Sequence, residues 1–253
     1  MNNIVTIAKN TFRETIRDRI LYVILAFAIL FILSTIFFGS ISLGEDIKII
    51  KDFGLAGIYL FSLIITIFLG GSLIYKEIEK RTLYILLSKP VSSMQVVVGK
   101  FLGLFVSILL TIVVMTGIYL VVVFAKGGGF DSIALLAILM QLFEIAVFIS
   151  LMILFSTFAT PLASTIYAVL VLYIGHSLAL IIKFVNKNPS NFRPVAVVIY
   201  YLLPNLEKFN IRNLVVHDVS ISGLSILYAF LYATLYSAIL LVLATWSLKK
   251  QDL

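Results

Sequence analysis

The chain is dominated by long runs of apolar residues that alternate with short polar stretches. Six of these runs lie near residues 20–39, 54–75, 101–125, 131–157, 162–182 and 221–247. A helix needs roughly 20 residues to cross the ~30 Å hydrocarbon core of a bilayer, and each run has about that length. Because backbone polar groups in lipid must bond within their own segment, the spans are expected to be helical. The pattern predicts an all-α integral membrane protein in which residues 1–253 form a single domain with six transmembrane helices.

Composition supports a membrane protein and excludes some chemistry. Hydrophobic residues make up 62% of the 253-residue chain and charged residues only 12%, whereas a soluble domain averages about half apolar and a quarter charged. The mean hydropathy is +1.15. Since the chain has no cysteine, disulfides, thiolate metal ligands and a cysteine nucleophile are excluded.

The net charge of +7 comes from cations that flank the predicted spans. No basic motif interleaved with exposed aromatic residues occurs, so membrane orientation explains the charge better than nucleic-acid binding. Eleven cations lie on the side of the two termini, namely Lys9, Arg13, Arg17, Arg19, Lys76, Lys80, Arg81, Lys89, Lys100, Lys249 and Lys250. The other side carries eight, five of them in one long loop. By the positive-inside rule, both termini are predicted to be cytoplasmic.

Residues 2–19 have the pattern of an amphipathic helix. Ile4, Ile7 and Phe12 recur at helical spacing, with Lys9 and Arg13 on the opposite side. We expect an interfacial helix along the cytoplasmic membrane surface. It is either an orientation anchor or a lever that contacts a cytoplasmic partner, and the pattern leaves both open.

Residues 76–100 form a charged, proline-interrupted connector between the second and third spans. A charged turn is followed by a short amphipathic piece, and Pro90 then ends any helix. Ser92 and Gln95 have the spacing of a capping box, which predicts that a new helix starts there. We interpret this cytoplasmic segment as the contact for a partner protein.

The long loop at residues 183–220 contains a second apolar feature. Residues 195–203 are apolar and lie between Pro194 and Pro204. About nine residues cannot cross a bilayer, so a re-entrant or interfacial helix on the extracytoplasmic side is predicted.

Glu144 is the most conspicuous polar residue within a predicted span. A charged side chain at that depth costs about 3 kcal/mol, so it should face protein or water. Gln141 lies one turn away on the same face, and His176 in the next, antiparallel span has a comparable depth. A cluster of Gln141, Glu144 and His176 could hold helices together, or it could contact a substrate or a proton.

Motifs for catalysis are missing from the sequence. Gly99 and Lys100 do not form a phosphate-binding loop, because Phe101 follows and the upstream glycine is lacking. H-E-x-x-H, G-x-S-x-G and paired intramembrane carboxylates are also absent. With two histidines and five methionines, a dedicated copper or zinc path has few ligands. We therefore expect no catalytic residue, metal site or cofactor on this chain.

A specific resemblance begins at Glu77. The sequence there reads E-x-E-K-R-T-L-Y-x-L-L-S-K-P-V-S and then V-G-K-F-L-G, and it resembles the cytoplasmic coupling segment of ABC-type-2 transporter permeases. The NosY-like branch, named for copper-enzyme maturation, is the most similar. The resemblance extends to an N-terminal elbow at Arg13, Arg17 and Arg19, and to Y-Y-L-L-P-N-L-E-K-F-N at residues 200–210. It thus covers nearly the whole chain.

The resemblance implies a half-transporter. Two permease subunits, identical or pseudo-symmetric, would pair above two copies of a separate ATPase, which would bind ATP and Mg²⁺. The complex would move a substrate, with export favoured, across the cytoplasmic membrane of a prokaryote. The branch name does not by itself imply copper transport. The implied ATPase-coupling residues are Glu79, Lys80, Arg81, Thr82, Leu83, Leu86, Leu87, Ser88 and Lys89.

Two other functions stay open at the level of sequence. An ion- or proton-coupled secondary transporter could use Glu144 and His176, although the chain shows no inverted repeat. An intramembrane protease or acyltransferase is the third hypothesis, although no paired catalytic residues are visible. The permease predicts an ATPase partner, and the secondary transporter predicts transport without nucleotide. The enzyme predicts substrate turnover by the chain alone.

Overall fold

The computed structural model describes residues 3–41, 45–79, 91–187, 193–212 and 222–250. Every regular element in these ranges is helical: α1 (Asn3–Arg17), α2 (Arg19–Ser40), α3 (Asp46–Gly70), α4 (Tyr75–Glu79), α5 (Ser93–Ala125), α6 (Ser132–Ser156), α7 (Pro161–Lys187), α8 (Arg193–Leu202), a short 3₁₀ helix (Leu206–Phe209) and α9 (Gly223–Lys250). Six are long and apolar enough to cross a membrane: α2, α3 continuing through α4, α5, α6, α7 and α9. The predicted all-α fold with six spans is confirmed.

Local sequence explains where several helices begin. Asp18 separates α1 from α2, because its carboxylate accepts a hydrogen bond of 2.9 Å from the Ile20 amide and caps α2. The predicted capping box at Ser92 and Gln95 is confirmed at the start of α5, with both reciprocal bonds formed. Pro161 opens α7, where its missing amide proton costs no helical hydrogen bond.

The core is built around α6. The rest of the protein buries 67% of the most apolar stretch of α6, compared with 56% for the α3 span and 22% for both α2 and α7. The outward faces of the less buried helices carry large apolar side chains, such as Phe27 on α2 and Tyr173 on α7. Lipid is as apolar as these side chains, so they need no protein cover in a membrane. Helices α3, α5 and α6 therefore form the centre, with the other spans around it.

Helix α1 packs closely against the first turns of α5. A Cβ atom at Gly103 would lie 2.5 Å from the Ala8 carbonyl oxygen and 2.6 Å from the Thr11 Cβ atom. Thr11 and Thr15 are buried on this contact face, while Arg13 is exposed. The missing side chain at Gly103 thus lets the two backbones approach, as small residues do at membrane helix crossings. The helix predicted over residues 2–19 ends at Arg17.

The bundle has two ends, which we name by the chain. The terminal end holds α1, the start of α5, and the ends of α6 and α9, where Thr157 donates a 2.9 Å hydrogen bond to Ser247. The far end holds the start of α3 and the start of α6. There Lys51 and Asp131 form an ion pair of 2.6 Å.

Candidate functional site

The predicted coupling segment has its described flanks, α4 and the start of α5, at the terminal end. Eight of its predicted contact residues fall outside the described part of the chain: Lys80, Arg81, Thr82, Leu83, Leu86, Leu87, Ser88 and Lys89. The ninth, Glu79, is exposed at the last residue of α4. The described flanks, α4 and the start of α5, show how the segment is attached to the bundle.

A buried lysine joins these two flanks. The Lys100 ammonium on α5 donates 2.7 Å to the Glu77 carboxylate on α4 and 3.3 Å to the Leu73 carbonyl oxygen. Only 3% of the Lys100 side chain is exposed. A buried ammonium is retained only where charge and hydrogen-bond partners are fixed around it, so this contact holds α4 and α5 in one arrangement.

The N-terminal elbow borders the same region. Arg13, Arg17 and Arg19 are all exposed near the junction of α1 and α2. A crevice of about 50 Å³ lies between this junction and α4, lined among others by Glu14 and Lys76. Helix α1, the elbow and the base of the coupling segment therefore form one continuous surface at the terminal end.

A second polar site, named here the far site, lies around Glu144 of α6. This carboxylate is buried, with a side-chain exposure of 2%. Its Oε1 atom accepts a 2.6 Å hydrogen bond from the Tyr59 hydroxyl of α3 and lies 2.9 Å from His176 Nε2 of α7. The Tyr59 oxygen is itself 2.9 Å from the same imidazole nitrogen. The structure thus brings Glu144 and His176 together, as the sequence suggested.

Gln141 does not join this contact. Its side-chain amide donates 2.8 Å to the Ser62 hydroxyl and 3.4 Å to the Ile58 carbonyl oxygen, both on α3. It therefore connects α6 to α3 beside the Glu144 site. Two side-chain attachments between the same helices, one through Gln141 and one through Glu144, keep α3 and α6 in register.

Four members of the site, Tyr59, Glu207, Asn210 and Arg212, were not identified from the sequence. His176 Nδ1 lies 3.0 Å from Glu207 Oε2. The Asn210 amide donates to Glu207, and Arg212 Nε donates 3.2 Å to Asn210. The Arg212 guanidinium stacks 3.8 Å from the Tyr59 ring centre. Tyr59 is one of 12 tyrosines, and no periodicity places Glu207 or Arg212 beside a span.

Residues 204–212, named here the far segment, are held against the bundle on two further sides. Gly175 of α7 allows the Pro204 carbonyl oxygen to approach, since a Cβ atom there would lie 2.7 Å from it. On α9, the Tyr232 hydroxyl accepts 2.8 Å from the Asn205 amide. The far segment thus contacts α3, α7 and α9, next to Glu144.

The chemistry available at the far site is proton transfer and hydrogen bonding. Within the described ranges, no group of three or more histidines and carboxylates is arranged to hold a metal ion. The imidazole of His176 is 21% exposed and Glu207 is 43% exposed, so both side chains reach the surface of the bundle. Buried Glu144 is therefore linked to the bundle surface through two hydrogen-bonding groups, His176 and Glu207.

Comparison with known proteins identifies a family for the whole chain. The sequence pattern of a family described as "ABC-2 family transporter protein" matches residues 5–253. No curated protein matches the chain.

Proposed function

The chain belongs to the ABC-2 family of transporter proteins, and we propose that it is the permease subunit of an ATP-driven exporter. Members of this family normally work with an ABC ATPase subunit. The observation that carries the proposal is the match over residues 5–253, which includes all six candidate spans and the connector at 76–100. ATP and Mg²⁺ would bind to the ATPase subunit, and two permease subunits would pair.

The terminal end is the proposed ATPase contact. ATPase closure would push on residues 82–87 and on α1. The spans would move because the nucleotide states of the ATPase bind this surface with different affinities. The Lys100 to Glu77 contact supports this role, since it joins both flanks of the coupling segment. The tight crossing of α1 and α5 at Gly103 provides a second rigid connection.

The orientation follows from charge. With eleven of 19 cations on the terminal side, we place that end in the cytoplasm of a prokaryote. Helix α8 would then be the extracytoplasmic re-entrant or interfacial helix, and the far segment would border the exit gate. The motif at residues 77–92 favours the NosY-like branch, without implying copper as the substrate.

Co-purification tests the proposal. The tagged chain would be purified from its native host in mild detergent, with residues 82–87 intact or replaced by a Gly-Ser linker. We expect a stoichiometric ATPase with the intact chain and its loss with the linker. The control adds the same linker after Gly127 at the far end, where a side chain would meet nothing within 4 Å, and should retain the ATPase. An intact, folded chain without an ATPase would contradict the proposal.

One observation favours a second candidate, a proton-coupled secondary transporter. The contact between Glu144 and His176 could carry a proton within the bundle. This candidate predicts transport without nucleotide that is lost in Glu144→Gln. Transport that requires ATP in the reconstituted complex would reject it.

A further inference from the structure

The contacts around His176 determine how many protons the far site holds. The Tyr59 hydroxyl has one proton, which it donates to Glu144 Oε1 at 2.6 Å. The Tyr59 oxygen then faces His176 Nε2 at 2.9 Å as an acceptor. Glu144 Oε1 faces the same nitrogen at 2.9 Å. With Glu144 ionised, Nε2 must therefore carry a proton, which it shares between the two oxygen atoms.

The other imidazole nitrogen also faces a carboxyl group. Nδ1 of His176 lies 3.0 Å from Glu207 Oε2. A neutral imidazole has one N–H, so in either tautomer one carboxylate oxygen would face a nitrogen lone pair. Both contacts are hydrogen bonds only if the imidazole is doubly protonated or one carboxyl group is protonated. Glu144, His176 and Glu207 together therefore hold one extra proton.

Two cations of the far segment lie near these residues. With the extra proton, these three residues carry one net negative charge, and the Arg212 guanidinium over the Tyr59 ring supplies one positive charge. Lys208 lies over the Tyr232 ring of α9, 4.4 Å from its centre. The titratable and charged groups that α3, α6, α9 and the far segment place around His176 are thus Tyr59, Glu144, Tyr232, Glu207, Lys208 and Arg212.

We propose that this extra proton keeps the far segment closed over Glu144, and that its loss to the far-end solution releases the segment. When the proton leaves Nδ1 for water, a lone pair faces the Glu207 carboxylate. Glu207 is already 43% exposed, whereas Glu144 is buried. The contact that breaks is therefore the outer one, which attaches the far segment to α7. Low pH closes the segment, and higher pH opens it.

The role of this proton in transport rests on the proposed function, because only an exporter needs the far segment as an exit gate. Protonation and release can nevertheless be measured on the purified chain without an ATPase. A failure of the measurement would leave the ATPase co-purification result unaffected, and the reverse also holds.

The absence of cysteine allows a clean labelling experiment. Asn205→Cys places a thiol at a position that is 8% exposed. It keeps the backbone amide that donates a hydrogen bond to the Tyr232 hydroxyl. Lys126→Cys provides a reference at an exposed position in the far-end turn between α5 and α6. The labelling rate by a water-soluble maleimide in lipid nanodiscs is measured from about pH 6 to about pH 9, around the ordinary histidine range. The ratio of the two rates corrects for thiol ionisation.

The ratio of Asn205→Cys to Lys126→Cys labelling should rise about tenfold from low to high pH, as expected for a lost charge-assisted hydrogen bond. Glu207→Gln is the matched variant, because its amide donates to an unprotonated Nδ1 and so removes the need for the extra proton. It should stay slow at every pH. His176→Leu should be fast at every pH, provided that it elutes as a single species. The proposal would be overturned if the ratio did not change with pH in the chain that keeps His176 and Glu207. It would also be overturned if Glu207→Gln showed the same rise with pH as that chain.

Discussion

Replacing Gly103 by alanine tests the packing of α1 on α5. The new Cβ atom would lie 2.5 Å from the Ala8 carbonyl oxygen, about 0.9 Å inside the 3.4 Å at which ordinary contacts begin. Two of its three nearest atoms belong to the α1 backbone, so a side-chain rotation cannot relieve the clash. The helices must move apart, and overpacking of this kind costs about 1–3 kcal/mol.

Gly117→Ala on the same helix is the matched control. A side chain at Gly117 meets nothing within 4 Å, so alanine should stabilise α5 by up to about 1 kcal/mol through helix propensity. Gly103→Ala gains the same propensity but also has the clash. We therefore expect a net loss of up to about 2 kcal/mol, and a difference of about 1–3 kcal/mol between the two variants.

The assay is reversible unfolding by SDS in mixed lipid micelles, followed by circular dichroism. If α1 also transmits motion from an ATPase, Gly103→Ala should lower coupled ATPase activity while Gly117→Ala leaves it unchanged. Equal stabilisation by both alanines would refute the reasoning, because it would mean that α1 does not lie against Gly103.

Two further predictions concern buried charges. Lys100→Met should cost about 2–3 kcal/mol in the same unfolding assay, because it removes the ammonium that Glu77 contacts. Adding Glu77→Gln should recover part of that loss, and a double variant as unstable as the sum of both singles would argue against the contact. At the far end, burial raises the pKa of the Asp131 carboxyl, but the Lys51 ammonium and two amides of α6 outweigh burial and hold this pKa below its usual range. Since the folded pKa is the lower one, the stabilisation is complete above the unfolded value of about 3.9 and is lost as pH falls through the folded value. Asp131→Asn should thus cost about 2 kcal/mol of stability at neutral pH. It should also reduce the loss of stability as the pH falls, and an unchanged loss would refute the role given to Asp131.

The sequence was sufficient for features that depend on local physics. Span length and hydropathy depend only on neighbouring residues and the thickness of a bilayer, so they predicted six helices before any contact was known. The capping box at Ser92 is equally local, because its two hydrogen bonds join residues three positions apart. The predicted coupling contacts between Lys80 and Lys89 lie outside the described residues and stay predictions.

The far site shows where local reasoning ended. A charged residue in a span must find a polar partner, which directed attention to Glu144 and His176. Helical periodicity gives the face on which a side chain lies, but it does not give which residues of other helices and loops meet that face. Gln141 therefore bonds to α3 beside the expected cluster. Glu207 and Arg212 reach the site only because the chain folds back after α8. The sequence thus determined that a buried acid needs partners, and the tertiary structure decided which residues those partners are.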